Sequence, residues 1–311
     1  MTALDAVAAY LPDRRVPIED LAGRLDLAAS QIKVLRRYHG LAEVRRQEPG
    51  GTVLDLLAAA ASTVEGLREK AHRIRHVLYA RGVPVALPYP MNPVHELRAL
   101  LALDRATAFT VTHHGCATSL LAVDIAGRLL ASSGEPGALA LVVAGEQVFT
   151  QDPAVAADSR IFGEGAGACL VSADGPHDRV LSYVTRQRGD LDHWAADTTG
   201  LDERYVREYP KLLDEVVLAA VERAGLTLDD ITLILPHNVN TVSWKRLAKR
   251  LELPVEKVLL DNVPVAGHTF AADAFLNYRT AVEHDLLHRG DRYVIAAAGF
   301  GAIFSAMVLQ H

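Results

Sequence analysis

The chain has 311 residues, half of them apolar and 23% charged, which is enough for about two domains with sizeable cores. This composition excludes disordered, collagen-like and disulfide-scaffold proteins. A net charge of -6 gives no general attraction to nucleic acid, so we expect no nucleic-acid partner. Charged residues interrupt every apolar run, the N-terminus lacks a basic segment, and Cys116 and Cys169 are too few for a disulfide framework. We therefore expect a cytoplasmic protein without a membrane span.

The first hundred residues predict strands and helices around a capping segment. Residues 4–12 indicate a short buried strand, and the helical apolar stripe of residues 17–41 is interpreted as a cap over a site. A long helix is predicted to begin at Thr52 and to run toward Arg81, with the strand VLYA at its end. Three prolines between Pro88 and Pro93 predict a loop.

The middle of the chain predicts one conspicuous junction. After a helix over residues 94–103, the run 106–112 predicts a strand, and the sequence HHGC then opens a helix over residues 117–134. The run 138–146 predicts a buried strand, and residues 161–174 predict a glycine-rich loop that continues into another strand.

The second half of the chain repeats this rhythm of strands and helices. The repetition predicts an α/β protein with two duplicated βαβ-type halves, mixed sheets around buried helices and an N-terminal helical cap. We divide the chain into residues 1–175, with the cap and Cys116, and residues 176–311. Predicted strands are 179–187, 231–236 and 257–262, predicted helices are 206–225, 244–253 and 269–287, and residues 292–311 form a predicted hairpin.

Cys116 stands between a predicted strand and the first turn of a predicted helix. A helix N-terminus carries about half a positive charge and unpaired N–H groups, which favour a thiolate over a thiol. The alternative is an inert packed cysteine, because cysteine is among the most buried residue types. Cys169 lies inside an apolar run, for which we keep the inert interpretation.

Two histidines follow predicted strands in the second half. His237 comes directly after the strand ITLILP, and His268 lies in VAGHTFAAD, where a glycine gives way to a helix. Ligand-contacting groups of α/β sheets lie at such carboxyl ends of strands. A single histidine there is ordinarily structural, but three junctions that each carry a titratable or nucleophilic group predict a site.

The segments CATSLLAVDIAGRLL, IFGEGAGA, PHNVN, AGHTFAAD and GFG occur in the order found in β-ketoacyl-acyl-carrier-protein synthase III. From about Thr110 to the end, the chain resembles this family, and a thiolase-like fold is implied. The family has His-Gln-Ala-Asn where this chain has PHNVN, so His237 and Asn240 match the family pattern. His268 replaces the family's catalytic asparagine, which makes the implied set Cys116, His237 and His268.

The resemblance implies acyl transfer through an acyl-cysteine on Cys116. His237 and His268 would hydrogen-bond the malonyl thioester carbonyl while decarboxylation forms the enolate that attacks the acyl group. The backbone N–H groups of Cys116 and Ala302 would form the oxyanion hole. Asn240 and Phe270 would contact the substrate, and Met91 would line the acyl tunnel of the other subunit in a homodimer.

The substrates would be carried on phosphopantetheine, and no other cofactor is expected. The family clamps coenzyme A with a tryptophan and an arginine, but Ile32 and Ala42 stand near those positions, so we expect an acyl carrier protein as the better donor. The helix after PHNVN carries the basic residues that would dock this acidic partner. They are Lys245, Arg246, Lys249 and Arg250, and the alternative is an ordinary solvated helix face.

Decarboxylative condensation is the expected reaction, within fatty acid or polyketide-type biosynthesis. The alternative is transfer of the acyl group to an alcohol, amine or thiol without decarboxylation, because the imidazole of His268 can act as a general base. Retained Cys116 argues against a non-catalytic partner subunit. HHGC lacks the spacing of zinc ligands, so no metal site is predicted, and the pair His113-His114 either packs at a strand end or tunes Cys116.

Overall fold

A computed structural model describes residues 1–83, 87–148, 160–191 and 203–311. Residues 84–86, within the predicted proline-containing loop, lie outside these residues. The described strands are β1 (Ala3–Tyr10), β2 (Arg14–Pro17), β3 (Glu43–Arg46), β4 (Ile74–Ala80), β5 (Thr107–Val111), β6 (Leu139–Glu146), β7 (Gly165–Ser172), β8 (Arg179–Gln187), β9 (Leu233–Pro236), β10 (Arg292–Gly299) and β11 (Ile303–Gln310).

The helices alternate with these strands over most of the chain. Short 3₁₀ helices add to them, and two of these, Gly115–Ala117 and Phe270–Ala272, directly precede the helices at the centre of the molecule. The described α-helices are α1 (Ala29–Arg37), α2 (Val53–Ser62), α3 (Leu67–Lys70), α4 (Pro93–Leu100), α5 (Thr118–Ser133), α6 (Glu203–Arg223), α7 (Thr241–Arg250), α8 (Val263–Ala266) and α9 (Asp273–Glu283).

The sheet is built twice with the same topology. The strand order is β5-β4-β6-β7-β1-β8-β11-β10-β9, and the two halves meet where Ala3 of β1 pairs with Arg179 of β8. In the N-terminal half β4 is parallel to β6, and β7 is antiparallel to both β6 and β1. In the C-terminal half β9 is parallel to β10, and β11 is antiparallel to both β10 and β8. This repeat is the duplication that the sequence predicts.

Five layers stack across the molecule, because the strands alternate their apolar side chains between two faces. The central core holds one face of both half-sheets together with α5 and α9. A second core places α2 and α4 on the outer face of the N-terminal half-sheet. A third places α6 and α7 on the outer face of the other half-sheet. The predicted α/β thiolase-like class, with buried helices between mixed sheets, is the observed fold.

The capping segment is smaller and more broken than one helix. A 3₁₀ helix over Ile18–Leu21 and α1 are joined by a turn, and β2 and β3 form a two-stranded ribbon beside them. Their apolar side chains form a separate small core that contacts the rest of the molecule through Ile161 and Val263. The predicted apolar stripe is therefore buried as expected, although the helix is interrupted.

Two predicted elements are wrong. The long helix from Thr52 ends at Ser62, because the chain turns at Gly66, which has a φ of +69°, and β4 begins at Ile74. The predicted strand 257–262 makes only one bridge, between Val258 and Ile234 of β9. It occupies the place that β5 holds in the other half, and Pro254 with α8 behind Asn262 leaves too little extended chain for a ladder.

The helical stretch Gly115–Ser133, which contains α5, is long and apolar enough to cross a membrane by composition, and 61% of it is buried inside the protein. Its apolar face packs in the central core against both half-sheets. The core position accounts for this composition.

Candidate active site

Cys116 lies where β5 gives way to α5, at the centre of the molecule. The chain passes through left-handed backbone at His113 (φ +71°) and Gly115 (φ +53°) before the 3₁₀ turn that leads into the helix. The Thr118 hydroxyl donates to the Gly115 carbonyl at 2.6 Å and tightens that turn. Cys116 is 6% exposed, so the sulfur is held at the first turn of a buried helix.

The turn between β10 and β11 packs directly against the backbone of Cys116. A Cβ atom on Gly299 would lie 2.9 Å from the Cys116 nitrogen, and one on Gly115 would lie 2.4 Å from the Phe300 nitrogen, so only glycine fits at either position. Ala302 ends the turn, buried and with a φ of +49°. The two residues predicted to form the oxyanion hole therefore belong to backbone segments in contact, and their role stays a prediction.

His268 is the direct partner of the nucleophile candidate. Its Nε2 lies 2.9 Å from the Cys116 Sγ, and both side chains are buried. Backbone hydrogen bonds fix the segment, because the His268 N–H donates to the Ile161 carbonyl and the Gly163 N–H donates to the His268 carbonyl. The imidazole therefore sits in one orientation against the sulfur.

Asp273 completes a chain of three groups. Its Oδ2 lies 2.5 Å from the His268 Nδ1, on the far side of the ring from the sulfur. The carboxylate also accepts from the Thr269 N–H at 2.8 Å and the Thr269 hydroxyl at 2.6 Å, and from the Asn238 N–H at 2.6 Å. Asp273 is the first residue of α9, where the helix N-terminus favours a negative charge.

The charges of these groups support one another. Burial alone would lower the pKa of His268, but the Cys116 sulfur and the Asp273 carboxylate on its two sides outweigh burial and raise this pKa to about 10. Burial opposes ionisation of Asp273, yet His268 and the Thr269 and Asn238 donors hold the pKa of the carboxyl below its usual range. His268 is thus favoured as an imidazolium, with the Asp273 carboxylate on one side of the ring and the Cys116 sulfur on the other.

His237 stands beside this chain in a different state. Its ring centroid lies 5.6 Å from that of His268. Its Nε2 lies 3.1 Å from the Tyr209 hydroxyl, while its buried Nδ1 has no hydrogen-bond partner among the described residues. Burial and the positive charge of His268 lower the pKa of His237 to about 3, so this ring is neutral at physiological pH.

Phe270 and Asn240, both predicted substrate contacts, border the site differently. Phe270 stacks on Phe162 with centroids 4.5 Å apart, and Phe162 in turn lies 5.3 Å from the His268 ring. Asn240 caps α7, with its Oδ1 accepting from the Ser243 N–H at 2.8 Å, and it also lines a cavity beside His237. Both positions suit substrate contacts, which stay predictions.

Other predicted residues lie away from Cys116 or on the surface. Met91 precedes α4, is half exposed and does not line the cavity beside His237. The four basic residues of α7 are exposed, with Arg250 paired to Asp214 and Arg246 donating to the Tyr38 hydroxyl. Over the described part of the chain, Lys245 and Lys249 show no ion pair.

The remaining candidates have structural surroundings. Cys169 lies in β7 and is fully buried, and burial raises the pKa of its thiol. Burial likewise lowers the pKa of His114, which sits at the start of the 3₁₀ turn that contains Cys116. Within the described ranges, no cluster of three or more His, Cys, Asp or Glu residues is arranged to hold a metal ion.

Sequence reasoning missed three members of the site: Asp273, Asn238 and Tyr209. Asp273 ends the quoted segment AGHTFAAD, and an aspartate in an otherwise apolar run signals a paired buried charge. Asn238, which departs from the family pattern, hydrogen-bonds Asp273 through its backbone and side chain. Tyr209 carried no recognisable signal, because it comes from α6, far away in sequence.

The chain is similar in sequence to known synthases. Residues 221–311 match the family model for the C-terminal part of 3-oxoacyl-[acyl-carrier-protein] synthase III. The β-ketoacyl-[acyl-carrier-protein] synthase III of Aquifex aeolicus is 28% identical over 69% of this chain and 70% of its own length. That of Sphingopyxis alaskensis is 29% identical over 99% of this chain and 98% of its own length.

Solved structures show the same fold. The synthase III of Thermus thermophilus superposes with a TM-score of 0.84 at 24% identity, covering 99% of both chains. The acyltransferase ChlB3 superposes with a TM-score of 0.84 at 20% identity, covering 99% of this chain and 97% of its own. These matches confirm the thiolase-like fold and the resemblance stated from sequence.

Proposed function

We propose that this chain, a β-ketoacyl-acyl-carrier-protein synthase III-like protein of the thiolase superfamily, is a ketosynthase that works through an acyl-cysteine on Cys116. The observation that carries the proposal is the 2.9 Å approach of the His268 Nε2 to the Cys116 Sγ, with Asp273 behind the ring. This geometry prepares a thiolate–imidazolium pair inside a buried pocket. Such a pair is the activated form of a cysteine nucleophile.

In the first half-reaction the Cys116 thiolate attacks the carbonyl carbon of an acyl thioester. A new carbon–sulfur bond forms, and the tetrahedral oxyanion is held by backbone N–H groups at Cys116 and Ala302. The bond to the carrier sulfur then breaks, and the carrier leaves as a thiol after it takes the Nε2 proton of His268. The products are the acyl-enzyme and the free carrier.

In the second half-reaction the incoming malonyl thioester loses carbon dioxide. A proton from solvent first returns to the His268 Nε2, which gave up its own in the first half-reaction. The electron pair of the broken carbon–carbon bond then moves to the α-carbon, and the enolate oxygen accepts hydrogen bonds from imidazoles. The α-carbon attacks the acyl-enzyme, and the carbon–sulfur bond to Cys116 breaks to restore the thiolate. The rings of His237 and His268 are adjacent, as donation to the enolate oxygen requires. Without substrate, the His237 Nε2 is in hydrogen-bond contact with the Tyr209 hydroxyl.

Intact-mass measurement after incubation with acyl-carrier proteins of several chain lengths tests the first half-reaction. Wild-type protein is expected to gain one acyl group, Cys116→Ala to gain none, and Cys169→Ala to be acylated normally, because Cys169 is enclosed in β7. Acylation that persists in Cys116→Ala would remove the nucleophile assignment.

Asp273 specifically favours a second candidate, acyl transfer to an alcohol, amine or thiol without decarboxylation. After acylation the His268 Nε2 carries no proton, so this nitrogen can take one from an acceptor. The Asp273 carboxylate at Nδ1 stabilises the imidazolium that then forms. The acceptor oxygen, nitrogen or sulfur then attacks the acyl carbon and displaces Cys116. The fold is shared with an acyltransferase, ChlB3.

His268→Asn separates the two reactions. If His268 only donates a hydrogen bond, the variant keeps the family's asparagine and retains condensation within about 10- to 1000-fold. If His268 removes the acceptor proton, the acyl-enzyme forms more slowly without the imidazolium, and once formed it persists because transfer stops. A single-turnover assay of the second half-reaction, run with malonyl donors and with hydroxyl or amine acceptors, identifies which product the wild-type protein makes.

We further propose an acyl carrier protein as partner, a homodimer in solution and a cytoplasmic location, with phosphopantetheine as the substrate carrier and no other cofactor. Two of the four exposed basic side chains of α7, Arg246 and Arg250, border the cavity beside His237, which suits an acidic carrier. Tyr89 and Met91 are exposed apolar side chains, as expected for a surface that a second subunit covers. Sedimentation measurement of the mass in solution tests the dimer.

A further inference from the structure

A cavity of about 230 Å³ opens beside His237 and is positively charged. Its described walls come from the cap, α6, the PHNVN segment and α7, and they hold three arginines but no carboxylate. Arg246 and Arg250 are exposed on α7 at the rim, where they bond Tyr38 and Asp214. The third, Arg160, is partly buried and lies at the start of the segment that leads to Phe162.

Two nitrogens of the Arg160 guanidinium lack a partner among the described residues. They are Nε and Nη2, and both are shielded from solvent. A guanidinium has five N–H donors, and leaving such donors buried and unpaired is costly unless a ligand satisfies them. Its Cζ lies 5.5 Å above the Phe300 ring, which orients the planar group without using those donors.

Phe300 connects Arg160 to the backbone around Cys116. Phe300 begins the turn that packs against Gly115 and the Cys116 nitrogen, so the arginine stacks on the residue beside the predicted oxyanion hole. Arg160, which lines the cavity, and the backbone segment that carries Cys116 thus both contact Phe300.

We infer that Arg160 binds a carboxylate on the acyl group that Cys116 accepts, so that the substrate class is dicarboxylic acyl thioesters. The inference rests on the proposed acyl-cysteine function. A planar guanidinium with free neighbouring donors matches a carboxylate in a bidentate manner. The tyrosine side chains of α6 give the cavity apolar walls, which suit a short chain between the thioester and its terminal carboxylate.

The carboxylate is expected to be retained in the product. A carboxylate in an ion pair is stabilised as an anion, whereas loss of neutral carbon dioxide would discharge the pair, so this contact opposes decarboxylation. The same chemistry could act on the malonyl group of a second substrate, and separate assays of the two half-reactions distinguish these sources.

N-acetylcysteamine thioesters provide the test, because they lack the phosphate of phosphopantetheine. Single-turnover acylation is followed by intact mass with succinyl and pentanoyl thioesters, which differ at the terminal group. Wild-type protein is expected to prefer the succinyl thioester, and Arg160→Met to lose about 10- to 100-fold of that preference while keeping pentanoyl transfer. Arg128→Met, whose side chain is 75% exposed on α5, is the control.

The outcomes separate this inference from the proposed function. Absence of acylation by both thioesters in wild-type protein would remove the acyl-cysteine function itself. Normal pentanoyl acylation with a succinyl preference unchanged in Arg160→Met would overturn the inference. An Arg160 effect confined to condensation with malonyl N-acetylcysteamine would also overturn it and assign the arginine to the incoming group. Retained pentanoyl acylation shows that Arg160→Met is folded.

Discussion

The two halves of the molecule build the same sheet and bury the same kind of central helix, but they place different groups at the start of it. In the N-terminal half a 3₁₀ turn leads into α5 and carries Cys116. In the C-terminal half a 3₁₀ turn leads into α9, and Asp273 is the first helical residue. Both helix N-termini favour negative charge, and His268 lies between the sulfur and the carboxylate. Duplication thus supplies two anion-stabilising positions, which one imidazolium links.

Removing the charge from the C-terminal half is expected to have the largest effect. Asp273→Asn keeps the side-chain size but cannot stabilise the imidazolium, and its amide can hold His268 in the wrong tautomer. The rate of Cys116 acylation is expected to fall by about 10²- to 10⁴-fold. Stopped-flow acylation and intact mass measure this, with Asp285→Asn as a control because that side chain is 89% exposed. Acylation of Asp273→Asn at the wild-type rate would contradict a role for the Asp273 carboxylate in activating Cys116.

The protonation state of the linking ring gives the second prediction. Labelled-histidine NMR is expected to show His268 titrating near pH 10 and His237 remaining neutral above about pH 5, since its pKa is about 3. A pKa raised in the folded state stabilises the fold fully below about pH 6.5, the unfolded value. That stabilisation is lost as the pH rises through about 10. In Asp273→Asn the pKa of His268 should fall. Titration of His268 near its ordinary pKa in wild-type protein would contradict the assignment of this ring as an imidazolium.

The third prediction tests the contact between Tyr209 and His237. Tyr209→Phe removes the hydroxyl that contacts the His237 Nε2 but leaves the Cys116–His268 pair untouched. Acylation should be unchanged, whereas condensation should fall by about 2- to 10-fold, the worth of one hydrogen bond. Tyr89→Phe serves as a surface control, because Tyr89 is 97% exposed. Equal losses in both half-reactions would place Tyr209 in the general support of the site instead.

The smallest effect is expected outside the site, on α7. Lys249→Glu should weaken binding of the acyl carrier protein by about 2- to 5-fold at low salt, because exposed charges contribute little and are screened. Kinetics with N-acetylcysteamine thioesters should not change. Arg128→Glu alters the net charge equally at a distant exposed position and should have no effect on the carrier. Unchanged carrier affinity in Lys249→Glu would indicate that this face of α7 is an ordinary solvated surface and does not bind the carrier.

Local patterns predicted the elements that have regular periodicity. The buried strands, α5 and the β10–β11 hairpin carry apolar runs or helical spacing, which depend on a few neighbouring residues. The helix expected from Thr52 failed because a left-handed turn at Gly66 redirects the chain. The strand 257–262 failed because Pro254 and α8 leave too little extended chain beside β9. Pairing and chain reversal depend on distant segments that local spacing does not report.

For the site, the sequence by itself determined Cys116 at a strand–helix junction, two histidines after strands, and the family whose motif order they follow. The contacts of these residues appear only in the tertiary structure: the Asp273 carboxylate pairs with the His268 Nδ1, and the Tyr209 hydroxyl contacts the His237 Nε2. The folded surroundings also make the His268 ring charged and the His237 ring neutral. Charge state follows from burial and from groups within a few ångströms. Because α6 and both central helices come together only in the folded core, no spacing along the chain encodes those distances.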